Sequence, residues 1–191
     1  MRVCGTRIRL ASIALSATLF AAASSAAGGV PAGGSDVAAD VAVKAAFLYN
    51  FAKFTEWPAL PPGGPIVLCV VAGDAIAAAL VDTVKGQHIS GHALEVWRAQ
   101  ESPSWQSCHL LFIPDAEIRK AAGGLAGIKT LPVLTVSDGK GFSQGGGIIE
   151  LFVEGGRMRF AINMDAAEGS GLRLSSRLLG LAKVTRSGHG Q

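Results

Sequence analysis

Ile66-Val67-Leu68-Cys69-Val70-Val71 is a run of six apolar residues with turn signals on both sides. Pro61-Pro62-Gly63-Gly64-Pro65 precedes it and Gly73-Asp74 follows. A strand with one face in water alternates apolar and polar side chains. An unbroken run belongs instead to a strand covered on both faces, as in a parallel sheet between layers of helices. Leu110-Leu111-Phe112-Ile113 repeats the pattern, and Pro132-Val133-Leu134-Thr135-Val136 supplies a further strand. Leu94-Glu95-Val96-Trp97-Arg98 alternates, which places it nearer an edge. Between these runs, Ala75 to Val84 reads as a helix capped by Asp74, and Pro114-Asp115 opens another through Leu125. Ile148 to Val153 and Met158 to Ile162 form a hairpin around Glu154-Gly155-Gly156. Strands alternating with helices predict an α/β fold: a single-domain three-layer sandwich, with a mostly parallel sheet, an antiparallel C-terminal hairpin and helices on both faces.

Outward from this centre, a helix is expected to start near Asp36 to Asp40. Val43, Phe47, Phe51 and Phe54 line one apolar face of it, and Trp57-Pro58 ends it. At the other end a last helix is expected, capped near Ser175 or Ser176, with Leu174, Leu178 and Leu181 on one face.

The N-terminus has the form of a secretion signal. Arg2, Arg7 and Arg9 make a positive start, Leu10 to Ala23 an uncharged stretch, and Ser24-Ser25-Ala26-Ala27 the small residues of a cleavage site. The expected organisation is a cleaved signal over residues 1–27, a flexible leader over 28–40, one domain over 41–186 and a tail over 187–191. The mature protein is then exported to the periplasm.

Hydrophobic residues make up 49% of the chain and charged residues 16%, which excludes a disordered or coiled-coil protein. The net charge of +3 belongs to the three leader arginines; the rest balances, so nothing favours nucleic-acid binding. The balance is uneven along the chain. From Arg157 onward Arg157, Arg159, Arg173, Arg177, Lys183 and Arg186 face only Asp165 and Glu168. Arg157, Arg159, Arg173 and Arg177 are therefore candidate contacts for an acidic partner or an anionic ligand, against ordinary solvated faces.

Export leaves two cysteines, Cys69 and Cys108, in an oxidising compartment. A structural disulfide is expected, closing a loop of about 40 residues worth roughly 4 kcal/mol in the chain-entropy model. Two buried thiols or a metal pair are the alternatives. Gly141-Phe142-Ser143-Gln144-Gly145 matches a nucleophile-elbow motif in letters, yet a strand rather than a helix follows it, so it reads as a loop. Val71-Ala72-Gly73-Asp74 lacks the glycine spacing of a nucleotide site, and Asp74 would repel an anion. His88 and His92 sit among glycines without a third metal ligand, and Glu150 and Glu154 read as exposed hairpin charges. No catalytic constellation, cofactor or metal is expected.

Val43-Lys44-Ala45-Ala46-Phe47-Leu48-Tyr49-Asn50-Phe51-Ala52-Lys53-Phe54-Thr55-Glu56-Trp57-Pro58 resembles the opening helix of the YfiR/HmsC family of periplasmic proteins. Arg159-Phe160-Ala161-Ile162-Asn163 and Gly171-Leu172 through Ala182 are similar to its closing signature, and the cysteine pair falls where that family has one. The resemblance runs from Val41 to Val184. It implies a non-enzymatic signalling regulator that binds and represses the periplasmic sensor domain of an inner-membrane (YfiN-like) diguanylate cyclase, with cyclic-di-GMP and biofilm output. An OmpA-like (YfiB-like) outer-membrane lipoprotein would relieve that repression, and a second copy of the chain is a further candidate partner. The alternative is a periplasmic small-ligand receptor feeding a sensor kinase or TonB-type uptake system. Its pocket would lie at the strand C-termini near Gly73, Arg98, Pro114 and Asp138.

Overall fold

A computed structural model describes residues 33–58, 60–99 and 102–186. The export segment, its cleavage site and the tail over 187–191 lie outside the described residues. In chain order the elements are α1 (Gly33–Lys53), β1 (Thr55–Glu56), β2 (Ile66–Val70), α2 (Asp74–Val84), β3 (His88–Ile89), β4 (His92–Arg98), β5 (Leu110–Ile113), α3 (Ile118–Ile128), β6 (Leu134–Ser137), β7 (Ile149–Glu154), β8 (Arg157–Asn163), α4 (Met164–Gly169), β9 (Arg173–Leu174), α5 (Ser176–Leu179) and β10 (Lys183–Thr185). One turn of 3-10 helix, Ser102–Ser107, precedes β5, and another, Asp115–Glu117, precedes α3.

Eight strands form one sheet in the order β10-β8-β7-β6-β5-β2-β4-β3. From β4 to β7 every neighbouring pair is parallel, while β8 turns back along β7 and β3 along β4. The expected α/β sandwich with its antiparallel hairpin is present. From β2 the chain steps one way to β4, and from β5 it steps the other way to β6. Right-handed crossovers in opposite directions must leave their helices on opposite faces of the sheet. Accordingly Leu68, Val70, Leu110, Phe112 and Leu134 pack with Leu48, Phe51 and Leu80 of α1 and α2. The alternate residues Val67, Cys69, Leu111 and Ile113 pack with Trp105, Ala121 and Ile128 on the α3 side. β2, β5 and β6 are buried on both faces, which explains their unbroken apolar sequences.

Several local expectations are corrected. α1 starts at Gly33, so residues 33–40 are helical where a loose leader was expected; Asp36-Val37-Ala38-Ala39 has good helix formers and an acid in the first turn. Its buried face is Ala45, Leu48, Phe51 and Ala52, whereas Val43 is 41% exposed. The helix stops at Lys53, before Trp57-Pro58, because Thr55 and Glu56 pair with Leu174 and Arg173. Asp74 does not cap α2: it is the first helical residue and pairs with Arg98 at 3.3 Å. The C-terminal helix is a single turn, with Ser175 Oγ accepting from Leu178 N–H. Leu181 is 67% exposed because the chain leaves that turn to pair β10 beside β8.

His109, just before β5, ties the lower end of the sheet. Its Nδ1 accepts from Val67 N–H at 3.0 Å, and its carbonyl accepts from Trp57 Nε1 and from Leu134 N–H. Burial, with a smaller contribution from the nearby His92 charge, holds its pKa below the usual 6.5. Protonation is therefore favoured in the unfolded chain. Stability is unaffected above about pH 6.5 and falls as the pH drops below it, because the unfolded state then takes up a proton that the folded state resists. Urea midpoints at pH 8 and pH 5 should differ more in the wild type than in His109→Asn, whose amide oxygen replaces Nδ1. Equal slopes in the two proteins would remove His109 as the cause.

Candidate functional site

Side chains of this chain meet beyond the C-terminal ends of β5 and β6, where an α/β fold usually receives a ligand. Asp138, one residue past β6, accepts from Asp115 N–H with one carboxylate oxygen and from Lys44 Nζ with the other, both at 2.8 Å. Lys44 comes from α1 and also pairs with Asp40 at 2.7 Å. Burial alone would lower the lysine pKa. The two carboxylates outweigh it and hold the group above its usual 10.5, so the lysine is charged at neutral pH. The four positions expected to frame a pocket do gather at this end of the sheet: Asp138 accepts from Asp115 beside Pro114, a Cβ on Gly73 would lie 3.6 Å from the Pro114 ring, and exposed Arg98 pairs with Asp74 next to Gly73.

A cavity lies elsewhere, between α3 and the loop that joins β6 to β7. Its volume is about 390 Å³. Ile118, Ala122 and Leu125 line it from α3, Val133 and Thr135 from the sheet side, and Phe142 from the loop. Glycines 145–147 complete the loop wall, and Lys129 and Lys140 are the charged residues of the lining.

Buried side chains fix that loop in place. Glu150 is 9% exposed, and its Oε1 accepts from Gly141 N–H at 3.0 Å. Its Oε2 accepts from Ser143 N–H at 3.0 Å and from Ser143 Oγ at 2.9 Å. Asn163 Nδ2 donates to the Ser143 carbonyl at 2.7 Å, and Thr135 Oγ1 accepts from Ile148 N–H at 3.0 Å. The expectation that Glu150 is an exposed hairpin charge is thus corrected. The Gly141–Gly145 segment is a loop, as its sequence context indicated, and Ser143 serves Glu150. Gly147 is required sterically, because a Cβ there would overlap the Phe142 ring.

The four candidate arginines lie on three elements, β8, β9 and α5. Arg157 and Arg159 point to one face of β8, opposite the face where Phe160 meets Phe47 and Phe51. Glu154 stands opposite Arg157 in register and lies 3.9 Å from Arg159. Arg173 is paired in register with Glu56, and the Arg177 guanidinium lies 5.9 Å from the Phe54 ring centre. These are two pairs of cations, one on the hairpin and one beside the end of α1. Cys69 and Cys108 form the disulfide, with Cα atoms 5.8 Å apart and both side chains buried. His88 and His92 occupy the β3–β4 hairpin, where His92 Nδ1 contacts the Gly64 carbonyl at 2.7 Å. Among the described residues no three His, Cys, Asp or Glu side chains gather as a metal site, and no helix is long and apolar enough to cross a membrane.

Lys129 and Lys140 escaped the sequence reading, Phe142 was read only as part of a loop, and Glu150 was read as an exposed charge. The glycine run before a strand was a usable signal for a tightly folded loop, but nothing in the spacing shows that the loop folds back over Glu150.

Fold and site together define a disulfide-closed, doubly wound α/β domain with a Lys44–Asp138 ion pair at its strand ends and a cavity under a tethered loop. The chain belongs to the YfiR/HmsC-like family, whose model matches residues 41–183. That family consists of periplasmic, non-catalytic regulators in cyclic-di-GMP signalling. A search of curated proteins gave no significant match. Among solved structures, a conserved domain protein from Vibrio cholerae O1 biovar eltor is 17% identical, with TM-score 0.45 over 76% of this chain and 60% of its own. The ABC domain in complex with L-Trp from Streptococcus pneumonia is 10% identical, with TM-score 0.47 over 73% of this chain and 59% of its own. The chain thus spans about three-fifths of each of those proteins.

Proposed function

We propose that the protein binds the periplasmic sensor domain of an inner-membrane diguanylate cyclase and represses it. The observation that carries this reading is the family match across residues 41–183. Repression of this kind requires a binding free energy that differs between the active and inactive forms of the partner, and no reacting group. A domain cross-linked through its core suits that task. An OmpA-like outer-membrane lipoprotein competing for the same surface would release the cyclase. Arg157 and Arg159 on the hairpin, with Arg173 and Arg177 beside α1, are proposed to meet acidic partner surfaces. A second copy of the chain competing for those cations is an alternative occupant.

The test is intracellular cyclic-di-GMP in the native host. Deletion of the gene should raise it, and the exported protein should restore it where a version without residues 1–27 does not. Arg157→Glu with Arg159→Glu should restore it poorly while the purified variant keeps its thermal midpoint. Unchanged cyclic-di-GMP on deletion across growth conditions would overturn repression. Full restoration by the charge-reversed variant would remove the hairpin from the contact. The second reading, a small-ligand receptor, is favoured by the cavity and would then direct the search.

A further inference from the structure

The cavity under the glycine loop has the attributes of a ligand site, and none of the reasoning about the cyclase uses it. Its volume, about 390 Å³, lies within the range of small-molecule pockets. Most of its lining is apolar: Ile118, Leu125 and Val133 supply aliphatic surface and Phe142 an aromatic ring. Ala122 and Ala126 keep the α3 wall low. Its charged lining is of one sign, since Lys129 and Lys140 have no aspartate or glutamate beside them in the wall. A Cβ placed on Gly146 would lie 4.0 Å from Lys129 Nζ, so that ammonium reaches across from the end of α3 to the loop. Glu150, Asn163 and Thr135 hold the loop wall through buried hydrogen bonds, so the space exists before anything enters it. An apolar chamber with two cations in its wall fits one chemistry: an organic anion with an extended apolar body.

We propose that the cavity between α3 and the β6–β7 loop binds a free amphiphilic carboxylate of the medium-chain fatty-acid type. The tail lies against Ile118, Leu125 and Phe142, and the carboxylate meets Lys129 and Lys140. The proposal does not depend on the cyclase partnership.

The test is a titration of the exported form of the protein, followed by the backbone amide resonances of Gly145, Gly146 and Gly147. The probes are decanoate and decyltrimethylammonium, which share an apolar tail and differ in the sign of the head group, both below their micelle concentrations. Decanoate should shift these amides saturably and bind at least roughly tenfold more tightly than the cation, the worth of one or two partly exposed charge contacts. Ala122→Trp, a change at an exposed helix position that fills the chamber, should abolish the shifts without altering the thermal midpoint. Lys129→Gln with Lys140→Gln should bring the two probes to equal affinity. The proposal is overturned if decanoate produces no saturable shift up to concentrations on the order of 1 mM. It is equally overturned if Ala122→Trp binds decanoate as the wild type does, or if the wild type binds both head groups alike. Shifts seen only with phosphatidylglycerol vesicles would assign the surface to membrane lipid and overturn the free-acid reading.

Discussion

Replacing both Cys69 and Cys108 by alanine is expected to lower the unfolding free energy by about 4 kcal/mol. The bridge spans 39 positions and joins β2 to the residue pair that precedes β5. Within the closed loop lie α2, β3, the parallel strand β4 and the 3-10 segment over Ser102–Ser107. Cross-linking these ends removes many extended conformations of the unfolded chain, and that is where most of the stabilisation arises in the chain-entropy account. A loss of that size is a large part of the 5–15 kcal/mol by which an ordinary domain is stable. Urea unfolding should therefore show a lower midpoint. It should also show a steeper dependence on denaturant, because the unlinked chain exposes more surface when it unfolds. A loss under about 1 kcal/mol would mean that the reduced chain keeps the closed loop by other contacts. Since both sulfurs are buried, reductant should act on the folded protein slowly, at the rate of opening rather than of collision.

Glu150→Ala is expected to cost about 3 kcal/mol. The carboxylate satisfies Gly141 N–H, Ser143 N–H and Ser143 Oγ at once. Deleting it strands those donors, two of them buried, and an unpaired buried donor costs about 1–3 kcal/mol. Water can reach the partly exposed Gly141, which keeps the total below the sum of three full penalties. Glu150→Gln should cost roughly half as much. Its oxygen still accepts on one side, while its NH₂ faces a donor on the other. Denaturant unfolding gives the energies, and hydrogen exchange at the Gly141 and Ser143 amides gives the location. Exchange there should accelerate in Glu150→Ala with little change in the amides of β2 and β5. An alanine variant as stable as the glutamine variant would show that the loop repacks without the carboxylate.

The sheet was legible because burial leaves a periodic record. Ile66 to Val71 and Leu110 to Ile113 could only be strands covered on both faces, and the structure covers them with α1 and α2 on one side and α3 on the other. The cysteine pair was legible from an expected oxidising compartment and an even count of cysteines after residue 27. What failed depended on contacts far apart in the chain. Glu150 interrupts a strand of apolar residues, and a carboxylate in that position usually meets water. Only the return of residues 141–143 over it makes it internal. Leu181 fits a helical face in the sequence, yet the turn ends early because Lys183 to Thr185 pair with Ala161 to Asn163. The expected pocket at Gly73, Arg98, Pro114 and Asp138 follows the general rule for α/β sheets. Spacing could not show that Lys44, from a helix described only by its apolar side, joins Asp138 at that place.

The two outer margins of the sheet are short. At one side β3 offers His88–Ile89, and at the other β10 offers Lys183–Thr185, with Lys183 exposed and Arg186 just beyond. Unpaired main-chain groups at a sheet margin are templates on which another chain can add a strand, the first step towards fibrils, and brevity and lysine both discourage it. Each outermost strand offers only two or three residues of free main chain, but β3 pairs only with His92 and Ala93, so among the described residues the outer side of β4 from Leu94 to Arg98 also lacks a partner strand. Brevity and lysine therefore blunt strand addition at β3 and β10 themselves, while the open stretch of β4 carries Glu95 and Arg98 as its charges.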